Sequence, residues 1–372
     1  MEPLDLRETI PALESGTYLN WGAGGPSPTR VVDAVESSLE HHEYEAPTRE
    51  GMYPAAFDAY DDARNAVADL LGATVKEIAL TQSTTDGINR VAGALEWDDT
   101  DVVVRTDLEH SSGILPWQRL ERTRGVEVRE LETENGRLDL GDVKSAASDA
   151  TLLCVSSLTW THGTRLPIES IVDVAHDAGA LVLVDAVQAP GQVPVDVHQW
   201  GADFVVAAGH KWLLGPFGGG FLFVRGGLER ERSLRPAAIG YRSVAEENAV
   251  DYEYAPGAKR FEVGTASPAP YAGLSEAIDC FDEIGIRTIE RRIEALTDRL
   301  KDGLRDDRLV SPREFESGLV TISVDDAEAT VERLADSGVV VRMLPNLEAV
   351  RASVHAYNTN AEIDALLEAL SE

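Results

Sequence analysis

The sequence is poor in cysteine and lysine, and it has no long hydrophobic run. Its two cysteines, Cys154 and Cys280, lie far apart, so they suit neither a disulfide framework nor a CxxC metal motif. No apolar stretch approaches the ~18 residues that a membrane-spanning helix needs. The first residues lack the basic region and apolar segment of a signal peptide. These absences predict a cytoplasmic protein without a metal site or a membrane span.

Positive charge is also scarce. The 372 residues include 65 acidic and 33 basic side chains, which give a net charge of −32. The acidic residues are spread along the whole chain, and a hydrophobic content of 43% is typical of a folded protein. Such a surface suits high salt, where counterions screen the repulsion, although an ordinary acidic cytosolic protein is the alternative. We therefore expect a halophilic origin, and neither nucleic acid nor an anionic membrane as a partner.

Lys211 has the most unusual setting of the five lysines. It follows an apolar, β-branched run and precedes a glycine-rich turn. Lysine is costly to bury unpaired, and burial can lower its pKa until the amine forms a Schiff base. Asp185 ends another apolar run 26 residues upstream. A Schiff-base lysine and a carboxylate for a pyridinium nitrogen are what pyridoxal 5′-phosphate (PLP) chemistry requires.

Short apolar runs alternate with amphipathic ones through the first two thirds of the chain. This alternation predicts an α/β fold, with a mostly parallel sheet covered by helices on both faces. The expected strands are 77–81, 101–105, 126–131, 151–156, 180–185, 204–208 and 220–225. After about Pro268 the pattern changes to a smaller α+β unit. We expect a PLP-binding large domain at 17–265 and a small domain at 266–372, joined by 1–16.

Four further motifs are candidate parts of a site, each with a structural alternative. The hydroxyl-rich residues 81–87 lie between a strand and a helix, and they suit either a phosphate or a plain helix cap. His110 could stack on a cofactor ring or be an ordinary histidine. Asp185 and Gln188, three residues apart, could both contact a cofactor ring, or Asp185 could simply be a helix N-cap. Arg351 could hold a carboxylate through its planar fork or form a surface ion pair.

Other arginines and the glycine-rich loops carry less information. Arg242 and Arg260, in or beside an irregular stretch, are the remaining candidates for holding a substrate carboxylate. The loops at 22–26 and 215–220 lack the GxGxxG spacing of a nucleotide site. We interpret both loops as tight turns without a role of their own.

In this order and spacing, the motifs resemble the class V aminotransferase family. That family includes cysteine desulfurases, isopenicillin N epimerase-like proteins, kynureninase and C–S lyases. The resemblance extends from Tyr18 to the last helix. It implies a PLP enzyme of fold type I with a seven-stranded large domain and a small C-terminal domain. It also implies a homodimer with shared active sites.

The resemblance also implies roles for individual residues. The expected catalytic residues are Lys211, as the Schiff base, Asp185, on the pyridine nitrogen, and His110, stacked over the ring. The expected cofactor contacts are Gln188 on the ring hydroxyl, Thr84, Thr85 and His210 on the phosphate, and Thr265 on the phosphate of the partner subunit. The expected substrate contacts are Asn20 and Arg351, the latter on the α-carboxylate.

Three departures from the family pattern shape the functional expectation. Ala208 stands where many members carry a hydroxyl residue, and Ser157 stands where the desulfurase-like members carry asparagine. The stretch 341–351 lacks the cysteine that desulfurases present there. We therefore expect an aminotransferase for a small amino acid and not a cysteine desulfurase. The alternatives are a cysteine or cystine C–S lyase, an epimerase, or a PLP-binding protein without turnover.

Overall fold

The computed structural model describes residues 1–371, and every structural statement below refers to those residues. The strands are β1 (Thr17–Tyr18), β2 (Ile78–Thr81), β3 (Val102–Thr106), β4 (Glu127–Leu131), β5 (Leu152–Ser156), β6 (Leu181–Asp185), β7 (Phe204–Ala208), β8 (Gly220–Val224), β9 (Leu319–Ser323), β10 (Val339–Val340), β11 (Arg342–Met343) and β12 (Ala349–Ser353). The α-helices are α1 (Pro3–Arg7), α2 (Thr29–Glu40), α3 (Met52–Leu71), α4 (Thr84–Ala92), α5 (Leu115–Arg124), α6 (Leu140–Ala147), α7 (Ile168–Asp177), α8 (Val197–Trp200), α9 (Leu228–Glu231), α10 (Ala269–Ile284), α11 (Ile286–Asp302), α12 (Ala327–Asp336) and α13 (Asn360–Ser371).

Seven strands form the central sheet, in the spatial order β2-β8-β7-β6-β5-β3-β4. The pairs from β7 to β4 are all parallel, and β8 runs antiparallel to both of its neighbours. The predicted α/β fold with a mostly parallel seven-stranded sheet is therefore confirmed. Each predicted strand lies within one residue of its observed bounds.

The apolar runs form strands because helices cover both faces of the sheet. Every residue of β5, β6 and β7 is buried. Alternate side chains enter different cores: Val182 and Val184 pack in one cluster, and Leu181 and Leu183 pack in another. Helix α7 ends at Asp177, and Gly179, two residues later, takes φ = +87°, which favours glycine. None of the described helices is both long enough and apolar enough to cross a membrane.

A second layer is built around the antiparallel sheet β11-β12-β9. Helices α11, α12 and α13 contribute side chains to its hydrophobic core. The N-terminal segment joins this layer, because β1 pairs with β10 and Asn20 bridges to Ser353. Helix α10 packs against α2 and α3. The division into domains at 17–265 and 266–372 (with 1–16) stays a prediction.

Candidate active site

A cavity of about 220 Å³ lies at the carboxyl ends of the central strands. Loops after β2, β3, β5, β6 and β7 line it, together with residues of β11 and β12 from the second sheet. This edge is where open α/β sheets bind ligands. The lining includes eight of the ten predicted site residues: Thr84, Thr85, His110, Asp185, Gln188, His210, Lys211 and Arg351.

Lys211 is the one lysine that lines the cavity. Burial lowers the pKa of its amine to about 8, while the nearby Asp185 carboxylate opposes this shift. The N-terminal loop fixes the peptide bond between His210 and Lys211, because the Gly25 N–H donates to the His210 carbonyl at 2.8 Å. A Cβ atom at Gly25 would overlap the Lys211 carbonyl oxygen, so only glycine fits there. The loop at 22–26 therefore supports the lysine, contrary to our interpretation of it as a turn without a role.

Asp185 and Gln188 lie beside the lysine, and both are buried. Asp185 Oδ1 accepts a hydrogen bond from the Val187 N–H at 2.9 Å. Burial raises the pKa of the Asp185 carboxyl, and the positive charge of Lys211 acts against the rise. Gln188 Oε1 accepts from the Trp212 indole at 2.7 Å, and Nε2 donates to the Gly22 carbonyl at 3.0 Å. These bonds fix the Gln188 amide and leave one of its N–H groups for a ligand.

His110 follows β3 and begins a short 3₁₀ turn. Its Nδ1 accepts from the Ser112 N–H at 3.3 Å, and its ring lies edge-on to Trp160 at 5.5 Å between centroids. Burial lowers the pKa of His110, and the positive charge of Lys211 lowers it further. Arg342 and Arg351, which also line the cavity, act in the same direction. Both effects favour the neutral form of the imidazole.

The preceding residue, Glu109, is a buried carboxyl that we did not predict. It accepts hydrogen bonds from Thr106 and Ser156, and burial raises its pKa to about 7. The Glu-His pair at the end of a buried strand was the signal that could have identified it.

The N-terminus of α4 also lines the cavity. Ser83 caps the helix, and the Thr84 hydroxyl is buried without a hydrogen-bond partner. The Thr85 hydroxyl lies 2.7 Å from the Ser112 hydroxyl. His210 also lines this cavity, and burial lowers its pKa to about 4. Free donors at a helix N-terminus suit a phosphate.

Two predicted residues do not line the cavity. Thr265 lines a separate one, with Tyr60, Arg90 and Glu262 among its neighbours. Asn20 is not among the residues that line the cavity; its carbonyl accepts from the Ala23 N–H at 2.9 Å, and its side-chain oxygen is buried without a partner. Neither residue contacts the space around Lys211 within this chain.

Two arginines also line the cavity. Arg351 is 1% exposed, and Nη1 donates to the Trp160 carbonyl at 2.7 Å. Its Nε and Nη2 are buried without partners, and burial lowers its pKa to about 9. Arg342, which we did not predict, lies on β11 directly opposite Arg351. A Cβ atom at Gly22 would fall 2.9 Å from Arg351 Nη2, so the absence of a side chain at Gly22 provides space for the guanidinium group.

The other candidate arginines serve the structure instead. Arg242 donates to Glu262 at 2.6 Å and lies over the Tyr60 ring at 4.7 Å. Arg260 donates to the Leu234 carbonyl at 3.2 Å. Neither lines the cavity around Lys211.

Both cysteines are free and buried. Burial raises the pKa of Cys154 well above its usual value and that of Cys280 to about 12. Neither is among the described residues that line the cavity. The structure also contains no group of three or more potential metal ligands within residues 1–371.

The site fits PLP. It offers an amine with a lowered pKa, a buried carboxylate beside it, and an unpartnered Thr84 hydroxyl at a helix N-terminus. Fold and site together define a PLP-dependent enzyme of fold type I. Residues 17–366 match the family model described as Aminotransferase class-V. The chain therefore belongs to the class V aminotransferase family, and its cofactor is PLP.

Similar proteins are named for sulfur chemistry. A "Probable cysteine desulfurase" of Methanothermobacter thermautotrophicus is 34% identical, over 100% of this chain and 98% of the relative. The apo structure of the cysteine desulfurase from Thermococcus onnurineus NA1 is 29% identical, with a TM-score of 0.91 and coverage of 100% and 97%. The cystine C–S lyase C-DES, solved with its product cysteine persulfide, is 26% identical, with a TM-score of 0.91 and coverage of 98% and 99%. A lysine-to-alanine variant of C-DES carries glycine covalently linked to PLP (25% identity, TM-score 0.91, coverage of 98% and 99%).

These comparisons overturn two expectations. Both the expected transamination and the exclusion of cysteine desulfurases are wrong, because relatives that match the chain from end to end bear the desulfurase name. The cofactor-binding motifs are shared throughout the family, so they could not identify the reaction. The missing cysteine at 343–350 was also too narrow a criterion, since it concerns one loop of a chain that is similar throughout.

Proposed function

We propose that this protein cleaves the carbon–sulfur bond of cysteine or of a cysteine-derived amino acid such as cystine. The observation that carries the proposal is the full-length similarity to proteins named for this chemistry, at 34% identity. The cavity is consistent with it, because it combines Lys211, Asp185 and an arginine with two unpartnered donor atoms. An amino-acid substrate needs a carbonyl group that reacts with its amine, a cation that binds its carboxylate and a base for its Cα proton. PLP would supply the carbonyl group where Lys211 holds it, the arginine would bind the carboxylate, and the released Lys211 amine would act as the base.

We propose the following roles for the residues. PLP, when bound, withdraws electrons from the substrate Cα. Lys211 holds the cofactor covalently and, once released, moves the Cα proton. Asp185 keeps the ring nitrogen protonated, and Gln188 donates to the ring hydroxyl. His110 stacks on the ring, and Arg351 binds the α-carboxylate.

The proposed ligand of the α4 N-terminus is the phosphate group of PLP. Thr84, Thr85 and His210 bind it within the chain. Thr265 reaches the phosphate of the partner subunit in a homodimer, which accounts for its distance from its own cavity. Asn20 acts on the substrate side by holding the loop that contains Gly22.

The carbon–sulfur bond can break in two balanced ways. In elimination, sulfur takes the bonding electron pair: cysteine and water give pyruvate, ammonia and hydrogen sulfide, and cystine and water give pyruvate, ammonia and cysteine persulfide. In desulfuration, a thiol attacks sulfur and carbon takes the electron pair, which gives alanine and a persulfide. Both routes use Lys211 to hold the cofactor and to move the Cα proton, and Arg351 to bind the α-carboxylate.

The test is a product analysis of the holoenzyme. Cysteine and cystine are incubated separately, and sulfide, persulfide, pyruvate, ammonia and alanine are measured, with the Lys211→Ala variant as the inactive control. Sulfur release matched by pyruvate or by alanine supports the proposal and identifies the route. Transfer of the amino group to a 2-oxo acid without sulfur release, or no turnover of either amino acid, contradicts it.

We also propose that the acidic surface is an adaptation to high salt. The net charge of −32 is distributed along the chain, and many arginines are committed to ion pairs, such as Arg225 with Asp203 at 2.9 Å. Screening of the excess negative charge would stabilise the folded state. The salt dependence of the melting temperature tests this proposal.

A further inference from the structure

Three side chains of the cavity, those of Thr85, Ser112 and His110, form a continuous series of polar contacts. The Thr85 and Ser112 hydroxyl oxygens lie 2.7 Å apart, and the Ser112 hydroxyl oxygen lies 3.1 Å from His110 Nδ1. All three residues line the cavity. Thr85 belongs to the first turn of α4, the proposed phosphate site, and His110 is the residue proposed to stack on the cofactor ring. The Ser112 hydroxyl therefore joins two parts of the proposed cofactor site.

The backbone of Ser112 constrains the position of the imidazole proton. The Ser112 N–H donates to His110 Nδ1 at 3.3 Å, and a backbone N–H can only donate. In the neutral ring one nitrogen carries the proton and the other accepts a hydrogen bond, so this contact favours the tautomer with the proton on Nε2. Within residues 1–371, every hydrogen bond of the ring involves Nδ1, which leaves Nε2 for a ligand.

The Ser112 hydroxyl can favour either tautomer, because it has one proton and two neighbours. If that proton points at His110 Nδ1, it supports the Nε2–H tautomer, and the Ser112 oxygen accepts the proton of Thr85. If a phosphate accepts the Thr85 proton instead, the 2.7 Å contact requires Ser112 to donate to Thr85. The Ser112 oxygen then presents lone pairs to Nδ1, 3.1 Å away, and this arrangement favours a proton on Nδ1.

We propose that Ser112 is a positioning residue that couples phosphate binding at Thr85 to the tautomer of His110. Phosphate turns the two hydroxyl groups and shifts the imidazole proton from Nε2 towards Nδ1. Nε2 thereby changes from a hydrogen-bond donor to a proton acceptor, able to take the ammonium proton that a substrate loses before its amine reacts. This consequence rests on the proposed carbon–sulfur bond cleavage, whereas the coupling itself does not.

The test measures the tautomer of His110 by ¹⁵N NMR of protein labelled at histidine. The spectrum distinguishes Nδ1–H from Nε2–H, and a His110→Gln variant identifies the signal among the eight histidines. Apoprotein and PLP holoenzyme are compared at pH 7.5, where the imidazole is neutral because burial lowers its pKa below the usual 6.5. In the apoprotein, Ser112→Ala should lower the ratio of Nε2–H to Nδ1–H about fivefold, as expected for one lost hydrogen bond. In the holoenzyme, the same substitution should raise that ratio about fivefold.

Ser111→Ala is the matched control. It removes a hydroxyl that lies 3.4 Å from the same nitrogen and that has no hydrogen bond to Thr85 in the described chain, so the ratio should change by the same factor in both forms. Ser112→Thr keeps the hydroxyl and should behave as wild type. A Ser112→Ala effect that is absent, or that has the same sign in apoprotein and holoenzyme, overturns the coupling.

A kinetic measurement separates this inference from the proposed function. With cystine as substrate, Ser112→Ala should lower kcat about fivefold, and Ser111→Ala should keep the wild-type value. An unchanged kcat in Ser112→Ala overturns the role of His110 as a base for the substrate. Opposite shifts of the tautomer ratio in a protein that cleaves neither cysteine nor cystine contradict the proposed function and support the coupling.

Discussion

The Glu109 carboxylate accepts hydrogen bonds from both donors of Ser156, the backbone N–H at 3.0 Å and the hydroxyl at 2.6 Å. The Thr106 hydroxyl donates to the same carboxylate at 2.7 Å. Glu109 directly precedes His110, and Ser156 pairs with Asp185 in the sheet. One buried carboxyl thus ties the loop that carries His110 to the strand that lies beside Asp185.

Removal of this carboxyl should destabilise the fold. Glu109→Ala leaves three buried donors unsatisfied, and we expect a loss of about 3 kcal/mol in the free energy of unfolding at pH 5, measured with urea. Glu109→Gln keeps an acceptor and should lose less than about 1 kcal/mol. Glu132→Ala, at an exposed position, is the control. A Glu109→Ala loss no larger than that of the control would contradict the role.

The same carboxyl should make stability depend on pH. Burial raises the pKa of Glu109 from its usual 4.5 to about 7, so the folded state binds the proton more tightly than the unfolded state does. Its stabilising contribution is therefore fully present below pH 4.5 and is lost as the pH rises through about 7. Glu109→Gln cannot titrate, so it should gain up to about 3 kcal/mol relative to wild type over that window. If the free energy of unfolding changes equally with pH in wild type and in Glu109→Gln, the raised pKa does not belong to Glu109.

Lys211 should be the point of covalent attachment for PLP. Borohydride reduction of the holoenzyme, followed by peptide mass spectrometry, should find the adduct on Lys211. The Lys211→Ala variant should lose both the adduct and turnover, whereas Lys144→Ala, at an exposed position, should keep both. An adduct on any of the other four lysines would show that the assignment is wrong.

The reactivity of Lys211 in the apoprotein should report its low pKa. Burial lowers that pKa to about 8, so trace acetylation of Lys211 should rise with a midpoint near pH 8. The Asp185 charge raises the pKa, so Asp185→Asn should move the midpoint to lower pH. Lys144 labelled in the same samples corrects for reagent reactivity. A midpoint that stays fixed or rises in Asp185→Asn would mean that the two charges do not interact.

Arg351 should determine the requirement for an α-carboxylate. Wild type should prefer cysteine to its decarboxylated counterpart cysteamine by about a hundredfold in kcat/KM, as two charge-assisted hydrogen bonds to the one carboxylate allow. Arg351→Lys should lose nearly as much of this preference as Arg351→Ala, because a point charge cannot make the paired bonds. If wild type does not discriminate, or if Arg351→Lys discriminates equally well, the carboxylate is held elsewhere.

Salt should stabilise the folded protein. The Debye length falls from about 10 Å at 0.1 M to about 3 Å at 1 M, which screens the mutual repulsion of the acidic surface. We expect the melting temperature to rise by about 5–10 °C over that range of KCl, the effect of a few kcal/mol in a large domain. A variant with glutamine or asparagine at Glu14, Asp33 and Glu132, all exposed, should show a smaller rise. A flat or falling melting temperature in wild type would contradict the proposal.

The fold could be predicted because its main signals are local. The apolar runs that end in Asp185 and Ala208 are buried along their whole length. A short, continuous apolar run of this kind indicates a buried strand, and it can be recognised from the sequence alone. The same reasoning places Asp185 and Lys211 at one edge of the sheet, because strands that run parallel end on the same side. These inferences need no knowledge of distant contacts.

Arg342 and Trp160 could not be predicted in this way. Arg342 enters the cavity because two short strands pair in a particular register, and Trp160 enters it from a loop. Register and loop conformation depend on residues that are distant in sequence. The reaction could not be predicted from the motifs either, because the proposed roles of Lys211, Asp185 and Gln188 concern the cofactor, which the members of the family share.

The close packing of Gly25 against the Lys211 carbonyl has a consequence for variation in the chain. A Cβ atom at Gly24 would lie 3.8 Å from its nearest neighbour, whereas one at Gly25 would fall 2.2 Å from the Lys211 carbonyl oxygen. Two adjacent glycines should thus differ sharply in a saturation library, with alanine accepted at the first and rejected at the second. The N-terminal loop therefore limits sequence variation near the lysine, because the contact between Gly25 and the Lys211 carbonyl leaves no space for a side chain.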